Sequence, residues 1–151
     1  IKKSGLQYTI FRPSYILGID DYLTKNISKQ ILKKQVLIPG SGNFILQPIS
    51  IDDVCLCIKT ALYSSKFLNK TIDLVGPKKL LFQKLIKKSV SSKIKIKKID
   101  LELAYQQALN KTNFEYSTED LNILVGNYVG NHKKLQNLCN FKFKNIESLN
   151  T

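Results

Sequence analysis

The chain has 151 residues, 43% of them hydrophobic, which suits one domain or a fraction of a larger one and supplies enough apolar side chains for a core. It has no apolar run approaching the ~18 residues that a membrane-spanning helix needs, and the start Ile1-Lys2-Lys3-Ser4-Gly5 lacks the apolar centre of a signal peptide. The 24 basic residues against 11 acidic ones leave a net charge of +13, yet Arg12 is the only arginine. Readers of phosphates and bases lean on the bidentate arginine fork, so the charge is expected to be lysine spread over solvated faces, with no specific nucleic-acid partner.

Residues 7–11 (Gln-Tyr-Thr-Ile-Phe) are β-branched and aromatic and predict a buried strand, ended by Arg12-Pro13 because proline cannot donate to a ladder. Residues 14–18 then leave its carboxyl end as a loop. Residues 20–34 predict a helix: Leu23, Ile27 and Ile31 recur at four-residue steps with lysines opposite, and Asp20 or Asp21 can cap it. Residues 36–38 are extended, and Pro39-Gly40-Ser41-Gly42-Asn43 is the strongest turn signal in the chain. Residues 44–51 are extended again, and Asp52 is a good cap for a helix carrying Val54, Ile58, Ala61 and Leu62 on one face.

Residues 71–75 predict a strand stopped by Gly76-Pro77, and residues 80–90 a helix with Leu81, Phe82, Leu85 and Ile86 inward. Residues 94–99 alternate isoleucine with lysine, which suits an edge strand with one wet face. Residues 101–109 are helical by the phase of Leu101, Ala104, Tyr105 and Ala108, and Ser117-Thr118-Glu119-Asp120 is helix-start chemistry for residues 121–125. Beyond Gly126 the pattern fades, and a loosely packed tail over residues 127–151 is expected, with one short helix near 133–139. Strands alternating with helices argue an α/β architecture.

Three ordered segments carry a resemblance. Ser4-Gly5-Leu6-Gln7-Tyr8-Thr9-Ile10-Phe11-Arg12-Pro13-Ser14 resembles the "SGL-x-YTI-x-RP" strand of the extended and atypical short-chain dehydrogenase/reductases. Pro39-Gly40-Ser41-Gly42 followed by Gln47-Pro48-Ile49-Ser50-Ile51-Asp52-Asp53-Val54 is similar to that family's "PGxG … QPIxVxDV" run, and Thr71-Ile72-Asp73-Leu74-Val75-Gly76-Pro77 to its "xxxLxGP" strand. The resemblance covers residues 1–90 well and is strongest toward the NAD(P)-dependent epimerase/dehydratase-like members. It implies part of a Rossmann-like sheet plus a small substrate-side subdomain, with residues 1–126 as the carboxy-terminal part of the cofactor-binding domain.

The resemblance also implies NAD or NADP as cofactor and a sugar nucleotide or similar small molecule as substrate, while the three unpaired-looking cysteines suit a protein of the reducing cytoplasm. The family's glycine-rich pyrophosphate turn and Tyr-x-x-x-Lys dyad are absent from the sequence. Gly40-Ser41-Gly42 lacks a third glycine and precedes a strand, while Tyr22/Lys25 and Tyr63/Lys66 stand three apart where the dyad needs four. A start at Ile1 is accordingly expected for a fragment, inactive alone, whose amino-terminal half lies upstream. No catalytic residue is assigned within the chain. A non-catalytic nucleotide-binding or assembly protein of the atypical branch is the alternative, and a basic nucleic-acid-binding module the third reading.

By the same resemblance Pro13, Ser14, Tyr15 and Ile16 face the nicotinamide and Gln47 lies near the substrate pocket, while Arg12 either braces the loop near the cofactor or contacts a substrate phosphate. Each has a plainer reading beside it: Arg12 ion-paired with Asp52 or Asp53, Gln47 bonded to backbone at a strand edge. Asp52 and Asp53 read as helix-start acids rather than an acid/base pair. His132 stands without a partner in register and reads as solvated. Cys55, Cys57 and Cys139 form no CxxC knuckle; they read as reduced core thiols, and no metal is expected.

Overall fold

The computed structural model describes residues 1–110 and 113–149. In chain order the elements are β1 (Thr9–Pro13), β2 (Ile16–Leu17), α1 (Tyr22–Leu32), β3 (Gln35–Pro39), β4 (Ile45–Leu46), β5 (Ile49–Ser50) and α2 (Ile51–Tyr63). A 3₁₀ turn (Ser65–Phe67) follows, then β6 (Lys70–Leu74), β7 (Leu80–Leu81), α3 (Phe82–Ser89), β8 (Lys95–Ile99), α4 (Leu101–Asn110), α5 (Thr118–Val125) and α6 (His132–Gln136). They fold into two units. The first comprises Ile1–Gly18, Gln47–Lys79 and Tyr128–Ile146, the second Ile19–Leu46, Leu80–Asn127 and Glu147–Thr151. No helix among the described residues is long and apolar enough to cross a membrane.

In the first unit β1 and β6 pair in parallel from Thr9↔Lys70 to Pro13↔Leu74, and β2 pairs in parallel with β5. β1 ends at the proline, as expected, but Pro13 is itself its last paired residue, two positions beyond the predicted strand. Ser14 donates its N–H to the Leu74 carbonyl at 3.1 Å, and alternation turns the position of the missing Pro13 N–H away from β6. The predicted loop at 14–18 likewise contains the short strand β2. The core gathers Ile49, Val54, Cys57, Phe67, Ile72, Leu74, Leu135, Cys139 and Phe143. Three of these belong to the stretch expected to pack loosely. The side chains of Leu135, Cys139 and Phe143 are buried with residues of β6 and α2, which the weak periodicity of that stretch conceals.

α2 turns a different face inward from the expected one. Val54 and Cys57 are buried, but Ile58 and Leu62 are exposed in this structure. Its cap is Ser50, whose hydroxyl accepts the Asp52 N–H, so Asp52 and Asp53 occupy the first turn instead of the cap. Both acids still complement the helix dipole there.

In the second unit β3 and β8 pair in parallel, from Gln35↔Lys95 to Pro39↔Ile99, and β4 and β7 antiparallel. Leu80 and Leu81, read as helical from sequence, are strand because they pair with Leu46 and Ile45. α1 is capped by Asp21, whose carboxylate accepts the Thr24 N–H at 3.0 Å, and buries Leu23 and Ile27. Gly40 and Gly42 both adopt positive φ (57° and 69°), which is why the turn between β3 and β4 is built from glycine. α5 begins in a complete capping box between Ser117 and Asp120.

A buried polar chain ties this unit together. Asn26 donates to the Glu115 carbonyl, Gln30 donates to Asn26 Oδ1 and accepts the Leu37 N–H, and the Tyr116 hydroxyl donates to the Leu37 carbonyl at 2.6 Å. Every step is donor to acceptor, so α1, β3 and the 115–116 segment satisfy one another.

Candidate functional site

All residues singled out by the resemblance fall in the first unit, at the carboxyl ends of the parallel strands β1 and β6, where open α/β sheets bind ligands. Arg12 lies opposite Asp73 in register, and both its Nε and Nη2 donate to Asp73 Oδ1, at 3.0 and 2.6 Å. The expected ion pair thus exists with a different acid: Asp52 and Asp53 sit on α2, while the register of β6 brings Asp73 alongside. The Arg12 side chain stays 66% exposed.

Pro13, Ser14, Tyr15 and Ile16 form a continuous backbone wall. Pro13 is in register with Leu74 and Ile16 with Ile49. The Tyr15 carbonyl accepts the Ile49 N–H at 2.9 Å, and Ser14 Oγ donates to the Gln47 carbonyl at 2.5 Å. The wall is therefore held from the β6 and β5 sides before any ligand arrives.

Gln47, expected at the substrate, is 2% exposed and its amide is committed inside the protein. Nε2 donates to the Gly76 carbonyl at 2.8 Å and Oε1 accepts the Gly130 N–H at 2.9 Å. The plainer reading of Gln47, a residue bonded to backbone, is the one the geometry carries. A Cβ on Gly76 would stand 1.8 Å from the Pro48 carbonyl oxygen, so only glycine fits there.

Four participants were not singled out as members of this cluster in the sequence. Asp73 anchors Arg12 and also accepts the Asn131 N–H at 3.4 Å. Gly130 packs where a Cβ would meet Asp73 at 2.5 Å. His132 is not solvated: its Nδ1 donates to the Val75 carbonyl at 2.9 Å, and its ring stands edge-on to Phe143 with centroids 4.8 Å apart. Lys144 donates its N–H to Asp53 at 2.9 Å and its ammonium to Asp52 at 2.6 Å. The Asp52 carboxylate raises the Lys144 pKa. The signal that could have found Asp73 is its place as the one acid in an apolar strand. The other three answer to partners over 50 residues away, which local pattern does not encode.

Chemically the cluster positions more than it reacts. Among the described residues no group of three His, Cys, Asp or Glu converges on a metal position. Lys25, of the Tyr22/Lys25 pair, is engaged by Asp20 at 3.3 Å. What the site offers is a pre-held backbone wall and one partly exposed guanidinium at the ends of two parallel strands.

No protein-family model matches the sequence, and no curated protein does. Solved structures match by shape. A nucleoside-diphosphate-sugar epimerase from Staphylococcus aureus aligns over 95% of this chain and 51% of its own, with 15% identity and a TM-score of 0.68. A short-chain dehydrogenase/reductase superfamily protein from Agrobacterium tumefaciens with bound NAD aligns over 82% of this chain and 50% of its own, at 15% identity and a TM-score of 0.50. A UDP-glucuronic acid 4-epimerase from Bacillus cereus, in complex with UDP-glucuronic acid and NAD, aligns over 61% of this chain and 32% of its own, at 19% identity and a TM-score of 0.52.

These likenesses define the fold: the chain is α/β and shares the fold of the matched parts of these structures. It spans about half or less of the length of the structures it matches.

Proposed function

We propose that the chain is the carboxy-terminal part of an NAD- or NADP-dependent epimerase/dehydratase or reductase of the extended short-chain dehydrogenase/reductase superfamily, acting on a nucleoside-diphosphate sugar or a related small molecule. One observation carries the reading. Two of the three resembling segments, residues 4–14 and 71–77, supply β1 and β6, which pair in parallel. The third supplies Gln47, which closes on Gly76 just beyond β6. Segments distant in sequence thus meet in the folded chain, which supports the reading.

In this reading Pro13, Ser14, Tyr15 and Ile16 present backbone beside the nicotinamide ring, and the exposed edge of Arg12 meets a substrate phosphate. Gln47 acts from behind the wall as a positioning residue. The sequence holds no glycine-rich turn for a pyrophosphate, since Gly40-Ser41-Gly42 leads into β4 instead of a helix. The residues present therefore fit one side of a dinucleotide site. The cofactor, when bound, supplies hydride chemistry; the pyrophosphate turn and the Tyr-x-x-x-Lys dyad come from chain outside these 151 residues.

A second reading, a non-catalytic nucleotide-binding or assembly protein, is favoured by the internal commitment of Ser14 and Gln47, which leaves few side chains aimed at a substrate. The test is to read the coding sequence upstream of Ile1 and express the whole protein with NAD(H), NADP(H) and nucleoside-diphosphate sugars. A glycine-rich strand-turn-helix, a Tyr-x-x-x-Lys helix and turnover support the enzyme. Dinucleotide binding with neither the dyad nor turnover supports the second reading. A chain complete at Ile1 that binds no dinucleotide overturns both.

A further inference from the structure

Cys57 lies on the buried face of α2, and Cys139 follows α6 by three residues. The two are 82 positions apart in sequence, yet their Sγ atoms stand 3.8 Å from one another. Both are members of the first unit's core, enclosed by Val54, Phe67 and Leu135. Cys55, two residues before Cys57 on the same helix, is exposed. The proposed function uses none of the three.

We propose that Cys57 and Cys139 form an oxidisable thiol pair, a modification site at which a small two-electron oxidant makes an intramolecular disulfide that fastens the segment after α6 to α2. A disulfide sets its sulfurs ~2.05 Å apart, so from the present contact each needs to move by only about 0.9 Å, within reach of side-chain rotation. The bond would close a loop of 82 residues, and it would hold a segment now kept in place by apolar burial of Leu135 and Phe143, the Lys144–Asp53 hydrogen bond and the His132–Val75 contact.

Burial raises the pKa of both thiols, so neither is a ready thiolate in the closed state. Oxidation therefore proceeds through brief opening of the segment around Cys139 and is slower than attack at the exposed Cys55. With a diazene such as diamide the balance is complete. One thiolate adds across the N=N bond, and the second thiol attacks the sulfur of that adduct, breaking its S–N bond and releasing the hydrazine. Two S–H bonds are lost and one S–S bond forms; the two electrons and two protons end on the hydrazine product.

The test uses the 151-residue chain with Cys55→Ser, which removes the exposed thiol without touching the core. It is oxidised with diamide in native buffer, quenched, denatured and alkylated, beside a sample oxidised in denaturant to set the time scale. The expected result is a monomer with no alkylatable thiol, a mass lower by about 2 Da and a linked peptide pair containing Cys57 and Cys139. Its melting temperature rises by roughly 10 °C and falls back on reduction. The double variant Cys55→Ser/Cys57→Ser is expected to keep one free thiol and show no shift. Two alkylatable thiols in the native sample after the denatured control has oxidised, or covalent dimers in place of the linked monomer, overturn the proposal.

Discussion

Gln47 holds Gly76 from two directions: its main-chain carbonyl accepts the Gly76 N–H at 3.2 Å, and its side-chain Nε2 donates to the Gly76 carbonyl at 2.8 Å. The segment entering β5 is tied here to the segment leaving β6, and the Pro48 carbonyl presses close enough to exclude any Cβ on Gly76. Gly76→Ala must displace backbone, since no flexible side chain is there to yield. It is expected to lower stability by at least about 3 kcal/mol or to prevent folding. Denaturant unfolding followed by circular dichroism checks this; a loss under about 1 kcal/mol would show that the backbone at Pro48 and Gly76 yields easily.

Gln47→Leu keeps the volume and removes both polar atoms of the amide, Oε1 and Nε2. The Gly76 carbonyl and the Gly130 N–H then lose their side-chain partner inside the protein. The expected cost is about 2–3 kcal/mol. In the whole protein, a Gln47 that contacted substrate instead would leave stability nearly unchanged and raise KM. The split between melting temperature and KM decides between the two roles.

The elements of this fold were legible in the sequence where local chemistry sets them. Asp21 caps α1 and Ser117 with Asp120 caps α5, because a cap needs only neighbours within three residues. The turn at Gly40 and Gly42 was legible for the same reason. What escaped was settled by partners far along the chain. Leu80 and Leu81 have the apolar look of a helix start, yet β4 draws them into a strand. Ile58 and Leu62 fit an inward stripe as well as Val54 and Cys57 do; the choice was made by what α2 packs against. Within the site, Arg12 was found as the sole arginine, but its partner Asp73 follows only from the register of β1 on β6.

Asp52 and Asp53 are neighbours with different duties. Asp53 is 2% exposed and accepts the Lys144 N–H, whereas Asp52 meets the Lys144 ammonium in solvent. Asp53→Ala strands a backbone donor and removes a charge from the helix start, for an expected loss of about 2 kcal/mol. Asp52→Ala is expected to cost under about 1 kcal/mol, as exposed ion pairs do. Equal losses in parallel urea titrations would contradict this division.

Tyr116 predicts how the chain responds to alkali. Burial holds its hydroxyl protonated above the ordinary tyrosine value of 10.0, with the charges of Glu115 and Asp120 adding to the effect and Gln30 opposing it. The folded pKa is the raised one, so the folded state keeps a proton that the unfolded chain releases. The stabilisation is complete below pH 10.0 and is lost as pH rises through the folded pKa. Tyr116→Phe is expected to cost about 1 kcal/mol at neutral pH, through the lost bond to the Leu37 carbonyl, and to fall less steeply than the wild type between about pH 10 and 11. Urea midpoints across that range, wild type against variant, isolate the contribution of the tyrosine. Parallel curves would remove Tyr116 from the alkaline response.

Thr71 sits in β6 opposite Ile10, and its Oγ1 is buried with no hydrogen-bond partner among the described residues. A hydroxyl hidden from water without a partner is a cost that folding bears. Thr71→Val keeps the β-branched shape that suits a strand and replaces that oxygen with a methyl group. The variant is expected to be more stable by about 1 kcal/mol, seen as a rise of roughly 2–4 °C in the thermal midpoint. A fall in the midpoint would mean that the hydroxyl is satisfied in solution by a bound water, and that the ends of β1 and β6 are wetter than their packing implies.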